Sequence, residues 1–438
     1  MNQLFLDRMK ELLNDEYDDF IASLNQPPVK GFYLNPLKKD VLNHLNQEHI
    51  TPHPYIPRGY YFDYEKEPLG KSPYFMCGLY YIQEPSAMAV ANTIQVNKDD
   101  YILDMCGAPG GKTCYLASQL NQDGLMIAND INKLRAHILA SNIERFGLKN
   151  TIVTNVDPLR FSLPGFFDKV ILDAPCSGEG MFRKDDEAIE TWSLQKVQEC
   201  AYIQRNLIDQ AYKLLKKDGV LVYSTCTYSV EENEAQVNYM VNKLNMEVIP
   251  IHQEPGMTES TLCPGTVRMY PHHNRGEGQF IAVVKKTTDT LVEKPKILKP
   301  NITREQLKLV ETFYHDHLNI DVPPYLFQSQ QHIYAIRPQF PDLNKIKVIK
   351  NGLYLGECKK GRFEPSLSLA LTLEKKDVKR YYDFSKDSQE VQDYIKGLTL
   401  KGHGDKGYGV IFVDGYPLSF YKESNQQVKN LFPKGLRR

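Results

Sequence analysis

Between residues 100 and 285 the chain alternates short apolar runs with stretches whose apolar positions recur at helical spacing. Tyr101-Ile-Leu-Asp104, Leu125-Met-Ile-Ala-Asn129 and Thr151-Ile-Val-Thr154 are three such runs. Lys169-Val-Ile-Leu172 and Gly219-Val-Leu-Val-Tyr-Ser224 are two more. Each is too short for a helix and apolar nearly throughout, as strands covered on both faces are. Thr113 to Leu120, Leu134 to Phe146 and Asp185 to Lys217 read as the helices between them. The alternation predicts an α/β fold with a doubly wound, largely parallel sheet. Gln279 to Lys285 supplies a last strand, and Gln83-Glu-Pro-Ser-Ala-Met-Ala-Val90 opens a helix ahead of the first, with Ser86 near its start.

The flanks have a different texture. Residues 1–25 are amphipathic and helical in spacing, with an acidic polar face, and residues 26–75 are rich in Pro and aromatics. Residues 1–80 are therefore read as a small N-terminal module and 81–285 as the central domain. The aromatics of the N-terminal module could stack on unpaired bases, although packing into a core explains them as well. Residues 286–300, polar, basic and bounded by Pro, have the composition of a linker. Beyond a helix over 301–318, short strand-like runs such as Gln331-His-Ile-Tyr-Ala-Ile336, Ile346-Lys-Val-Ile349 and Gly409-Val-Ile-Phe-Val413 are separated by Gly and Asn. They predict a β-rich C-terminal part, divided here into residues 301–370 and 371–438.

Composition adds a charge asymmetry. The 438 residues carry a net charge of −1. Residues 285–438 hold 27 Lys plus Arg against 18 Asp plus Glu, a net of +9, which leaves −10 for residues 1–284. A basic tail on an acidic central half points to a polyanionic partner such as RNA. No run approaches the roughly 18 apolar residues of a membrane helix, and the N-terminus lacks the order of a secretion signal. A cytoplasmic, membrane-free protein is expected, acting as a monomer. None of the eight Cys forms a Cys-x-x-Cys pair, so no metal site is expected.

The loop after the first strand, Cys106-Gly-Ala-Pro-Gly-Gly-Lys112, lets backbone N–H groups approach a ligand at a helix N-terminus. A phosphate-binding P-loop would need Gly where Cys106 stands. Instead, acidic residues recur at the strand ends: Asp104, Asp130, Asp157 and Asp173. Asp130 follows the loop at about the 20-residue spacing of a ribose-binding carboxylate. Four carboxylates in one cleft would repel a triphosphate. They suit a phosphate-free nucleoside with a positive centre, which describes S-adenosylmethionine.

Two cysteines stand in loops at strand ends, Cys176 after Asp173 and Cys226 after Ser224. Strands joined through a helix usually lie side by side, so both thiols could face one pocket. Cytosine C5 is too electron-poor to accept a methyl group directly. A thiolate added at C6 makes C5 nucleophilic, an acid at N3 absorbs the charge, and Asp173 is placed to serve there. A second Cys can then help release the adduct. The residues alone leave open which Cys attacks.

Asp104-Met-Cys-Gly-Ala-Pro-Gly-Gly-Lys-Thr113, Asp173-Ala-Pro-Cys-Ser-Gly-Glu-Gly180 and Tyr223-Ser-Thr-Cys-Thr-Tyr-Ser-Val-Glu-Glu-Asn-Glu234 resemble the motifs of the Sun-type RNA cytosine-C5 methyltransferase family. Gln83-Glu-Pro-Ser-Ala-Met88 and His273-Asn-Arg-Gly-Glu-Gly-Gln-Phe280 support the match, which covers about 80 to 285. Gly107 stands where many members have Ala. The resemblance implies a Rossmann-like, class I S-adenosylmethionine-dependent domain with Cys226 as nucleophile and Cys176 aiding release. It implies that Cys106, Gly107, Ala108, Pro109, Gly110, Gly111 and Lys112 line the cofactor. Asp130 would hold its ribose, Asp157 would lie by the adenine, and Asp173 would sit between cofactor and base. Gly361-Arg-Phe-Glu-Pro-Ser-Leu-Ser-Leu-Ala370 and the ending Lys429 to Arg438 resemble the branch that methylates small-subunit (16S) ribosomal RNA and carries a PUA-like C-terminal domain. Ribosomal RNA or the small ribosomal subunit is the implied partner. Another RNA such as tRNA, a P-loop NTPase and an inactive RNA-binding scaffold are the alternatives.

Overall fold

The computed structural model describes residues 1–121, 123–290, 292 and 294–438, so residues 291 and 293 of the expected linker lie outside the described residues. Ten strands form the central sheet. They are β1 (Tyr101–Asp104), β2 (Leu125–Asn129), β3 (Thr151–Thr154), β4 (Phe167–Asp173), β5 (Leu215–Thr225), β6 (Met246–Val248), β7 (Met257–Glu259), β8 (Val267–Met269), β9 (Gln279–Lys286) and β10 (Val348–Asn351). Their order is β7-β8-β9-β5-β4-β1-β2-β3-β10, with β6 also paired to β9. The five strands from β5 to β3 run parallel, and β9 adds antiparallel to β5, with β8 and β7 beyond it. The direction of winding reverses between β4 and β1, the crevice where open α/β sheets bind ligands.

The alternation of side chains explains the burial. Leu103, Leu125 and Ile127 belong to one apolar cluster. Their neighbours Ile102, Met126 and Ala128 belong to the cluster on the opposite face. Helices Gly111–Ala117 and Lys133–Arg145 follow β1 and β2, and Leu194–Leu214 links β4 to β5. The long helix starts where the Ser193 hydroxyl accepts the Lys196 N–H. The helix over Lys133–Arg145 starts likewise at Asn132, each side chain satisfying a donor that the helix leaves open.

The C-terminal part does not stand apart. β10, from within residues 301–370, pairs antiparallel with β3 and covers what would be an exposed sheet edge. The last sheet, with strands Tyr381–Phe384, Leu400–Lys401, Gly407–Val413, Tyr416–Ser424 and Gln427–Asn430, shares a core with the N-terminal module. Phe32, Val41, Phe62 and Tyr80 pack in one cluster with Val391, Tyr394, Ile411 and Leu418. Tyr74 Oη donates to Asp414 Oδ2 at 2.8 Å and Tyr416 Oη to the Lys39 carbonyl at 2.6 Å. Phe32, Tyr33 and Tyr61 of the aromatic N-terminal stretch are buried. Helices Gln3–Leu13 and Tyr17–Leu24 put Phe5, Met9 and Phe20 against Phe182, Trp192 and Tyr228, bracing the segments that follow β4 and β5. Among the described residues no helix is long and apolar enough to cross a membrane.

Candidate active site

The carboxyl ends of β1, β2, β4 and β5 open onto one crevice. The loop from Cys106 to Lys112 lies over β1, its backbone pinned on several sides. Gly107 N donates to Asn129 O at 2.7 Å. Arg135 Nη2 donates to Ala108 O at 2.8 Å, Asn142 Nδ2 to Pro109 O at 2.9 Å and Tyr33 Oη to Gly111 O at 2.7 Å. One glycine here is required, and a second packs closely. Gly110 has φ +115°, a conformation that side chains disfavour. At Gly107 a Cβ would stand 3.0 Å from Thr113 Oγ1 and 3.1 Å from Asp104. Burial, with Asp104, Asp173 and Asp130 adding to it, pushes the Cys106 thiol far up and leaves it inert.

Asp104 is 1% exposed. Its Oδ2 accepts the Thr113 hydroxyl at 2.6 Å, while Oδ1 has no hydrogen-bond partner. Burial raises this carboxyl to about 6, partly offset by Thr113 and Lys112. Asp130, at the end of β2, is also buried; its Oδ1 accepts Asn132 N at 2.8 Å and Arg135 Nε stands 3.5 Å from Oδ2. Asp157 is half-buried past β3 and accepts Leu159 N at 3.1 Å.

At the crevice's centre, Asp173 Oδ2 accepts Lys112 Nζ at 2.8 Å and Oδ1 accepts Ser224 Oγ at 2.6 Å. Burial pulls Lys112 down, but Asp173 and Asp104 outweigh it and the ammonium is held above its ordinary value. A lysine held by a carboxylate in this way is not presented to phosphates. The two loops meet as their strands do: β4 and β5 pair in parallel with Asp173 opposite Ser224. Cys176 Sγ and Cys226 Sγ lie 3.2 Å apart, both free and half-buried. The hydrogen bond to Cys226, then burial, holds the Cys176 thiol well above its ordinary value.

Several buried groups that frame this pair lie inside the quoted motifs, where the sequence assigned them no role. Glu232 takes two hydrogen bonds from Ser177, at N (3.0 Å) and Oγ (2.5 Å), and one from Gln204 Nε2 (2.9 Å). Glu179 takes Trp192 Nε1, Ser229 Oγ and Tyr228 N at 2.7 to 2.9 Å. Asn233 donates to Thr227 O at 2.9 Å and accepts Thr225 Oγ1 at 2.5 Å. Glu231-Glu232-Asn233-Glu234 has the composition of a solvated turn, yet Glu232, Asn233 and Glu234 are all at most 1% exposed. The available signal was position: an acidic run just past a strand-end Cys.

The chain matches family models along its length. Residues 91–285 match the 16S rRNA methyltransferase RsmB/F model and residues 1–85 the N-terminal domain of 16S rRNA methyltransferase RsmF. Residues 312–373 match the RsmF rRNA methyltransferase first C-terminal domain and 381–438 the methyltransferase RsmF PUA domain. It is 31% identical to the ribosomal RNA small subunit methyltransferase F of Vibrio vulnificus, over 99% of this chain and 97% of that one. The same-named protein of Psychromonas ingrahamii is 30% identical over 99% and 96%. Among solved structures, a methyltransferase homologue from Pyrococcus horikoshii is 29% identical with a TM-score of 0.58, over 65% of this chain and 95% of that one. NSun6 from the same organism, solved with SFG, an S-adenosylmethionine analogue, is 25% identical with a TM-score of 0.58, over 65% and 98%. With a family model on each part of the crevice-bearing fold and relatives matched from end to end, the chain belongs to the RsmF family of S-adenosylmethionine-dependent ribosomal RNA small subunit methyltransferases.

Proposed function

We propose that this enzyme methylates C5 of cytosine in 16S ribosomal RNA through a covalent bond between Cys226 and C6, with Cys176 aiding release. The observation that carries the reading is the 3.2 Å approach of the two thiols beside the Asp173–Lys112 pair. A direct transfer to a nitrogen or oxygen has no use for two thiols there.

The crevice fits S-adenosylmethionine. Asp104 Oδ1 is a buried acceptor awaiting a cationic donor. Cys106 to Lys112 would line the cofactor, Asp130 take its ribose hydroxyls and Asp157 lie by the adenine. When bound, the cofactor supplies an electrophilic methyl group.

The protein's own groups do the rest. Cys226, its proton released to solvent, bonds through Sγ to C6; the C5–C6 π electrons shift toward N3, which takes the proton shared between Lys112 Nζ and Asp173 Oδ2 and returns it there when C5 takes the methyl group. After C5 is methylated, Cys176, its own proton given up to solvent, takes the C5 proton. The C–H electrons restore the C5–C6 double bond and expel the Cys226 thiolate. Once Cys226 is bonded to C6 it no longer opposes ionisation of Cys176, which removes the largest cause of that thiol's raised pKa.

The test combines labelled cofactor with naked 16S rRNA and, in parallel, isolated 30S subunits, and maps 5-methylcytosine by sequencing. Cys226→Ala should abolish transfer while cofactor binding survives; retained transfer refutes its role. Cys176→Ala should leave a covalent RNA–protein band on denaturing gels, and its absence refutes the release role. Label on tRNA alone would move the substrate while keeping the chemistry.

A further inference from the structure

Glu232 is a carboxylate with 0% exposure that has no lysine or arginine within ion-pair distance among the described residues. Burying an unpaired charge costs several kcal/mol, and a fold retains one where something depends on it. Its contacts identify what that is. Ser177, the residue after Cys176, gives it both N–H and hydroxyl. Gln204 Nε2 donates to Glu232 and to the carbonyl of Pro175, the residue before Cys176, each at 2.9 Å. The Ser177 hydroxyl also lies 2.8 Å from Thr227 Oγ1, the residue after Cys226. One carboxylate thus holds Ser177 directly, Pro175 through Gln204, and Thr227, the neighbour of Cys226, through Ser177.

We propose that Glu232 is the positioning residue that divides the labour of the two thiols: it fixes Cys176 against Cys226 and stands as the negative charge beside Cys176. The inference rests on the cysteine mechanism proposed above. Attack then falls to Cys226. Cys176, whose ionisation Glu232 opposes, stays protonated while Cys226 attacks; once Cys226 is bonded to C6, Cys176 gives its proton to solvent and, as the more basic thiolate, takes the C5 proton.

The groups facing Glu232 are consistent with this polarity. Glu179, Cys176, Cys200 and the Tyr223 hydroxyl are acidic or neutral, and Arg205, a cation, acts on Tyr223. Tyr223 Oη donates to the Glu232 carbonyl at 2.5 Å, fixing its backbone to β5. Burial brings the Glu232 carboxyl to about 7 despite the Ser177 and Gln204 bonds. Its charge therefore develops across neutral pH.

Glu232→Gln keeps the volume and removes the charge. The cofactor-free full chain would be alkylated with iodoacetamide from pH 6 to 9, with Cys176 and Cys226 quantified separately by peptide mass spectrometry. A unit change in thiol pKa alters the thiolate fraction tenfold. The parent should react at Cys226 in preference, and Glu232→Gln should narrow that preference by roughly tenfold and flatten its inflection near pH 7. Glu232→Asp, which restores the charge, should restore the inflection. In single turnover with RNA, Glu232→Gln should accumulate the covalent adduct. An unchanged alkylation ratio and pH profile in a folded Glu232→Gln protein overturns the inference. If that variant does not fold, Gln204→Leu keeps the charge but frees Pro175, and unchanged adduct release there overturns it equally. Alkylation reads the thiols without methyl transfer. A failure of the cysteine mechanism, seen as activity in Cys226→Ala, is therefore distinct from a failure of Glu232's role.

Discussion

Asp104→Asn should make the cofactor-free protein more stable above neutral pH and the cofactor more weakly held. Asp104 is buried to 1%, and burial raises its carboxyl from 3.8 to about 6. A folded-state pKa raised above the unfolded value means stability that is present at low pH and lost as pH rises through about 6. Two units correspond to about 3 kcal/mol of penalty once the group is fully ionised. Asn does not titrate. The variant also leaves an amide with no partner where Oδ1 stands, a cost of about 1–3 kcal/mol. That cost is the same at every pH and cancels when pH values are compared. Urea unfolding of both proteins at pH 4 and pH 8 should therefore show the variant gaining about 2 kcal/mol on its parent between the two. Calorimetric titration with S-adenosylmethionine at pH 8 should show its affinity falling by about 10- to 100-fold, the worth of one hydrogen bond to a charged group. A stability difference independent of pH would refute the burial argument, and unchanged affinity would refute the assignment of Oδ1 to the cofactor.

Arg183 and Glu277 form a second buried pair, 2.9 Å apart with side chains 4% and 3% exposed, and Arg183 Nη2 also donates to Gly276 O at 2.6 Å. Arg183→Met should cost about 3–5 kcal/mol in denaturant unfolding by stranding the carboxylate; a loss under 1 kcal/mol would mean that Glu277 regains water. Deleting residues 376–438 should lower the melting temperature and add dye-binding apolar surface, because Val391, Tyr394 and Leu418 complete the N-terminal core; an unchanged melt would show that the core closes without them. RNA binding by the tail is therefore better tested by charge. Replacing exposed Lys401, Lys406 and Lys429 with Gln should flatten the salt dependence of RNA binding, its slope falling by about 0.7–0.9 for each phosphate that is no longer neutralised. An unchanged slope would place the grip elsewhere.

β1, β2 and β3 stand where the apolar runs predict them, at the same residues, because fully buried parallel strands must be apolar on both faces. Helix ends were less legible. The helix after β1 begins at Gly111 rather than Thr113, since Gly110 at φ +115° turns the chain into it. The strand-end carboxylates and the two loop cysteines were also readable, because a polar residue that ends an apolar run is marked by the contrast itself.

Tertiary structure decided the rest. Sequence placed Cys176 and Cys226 fifty positions apart; the parallel pairing of β4 with β5 brought them to 3.2 Å. Glu232 stood within the Tyr223–Glu234 motif with no role assigned to it, and the helix over Leu194–Leu214 and the Cys176 loop, both distant in sequence, bond it in the interior. The segment carrying β10 read as part of a separate module, yet it completes the sheet edge beside β3. The reason is common to all three. Periodicity reports which face of an element must be covered, because that requirement is local. Which distant element covers it, and which polar group is enclosed as a result, depends on how the packed elements share one interior.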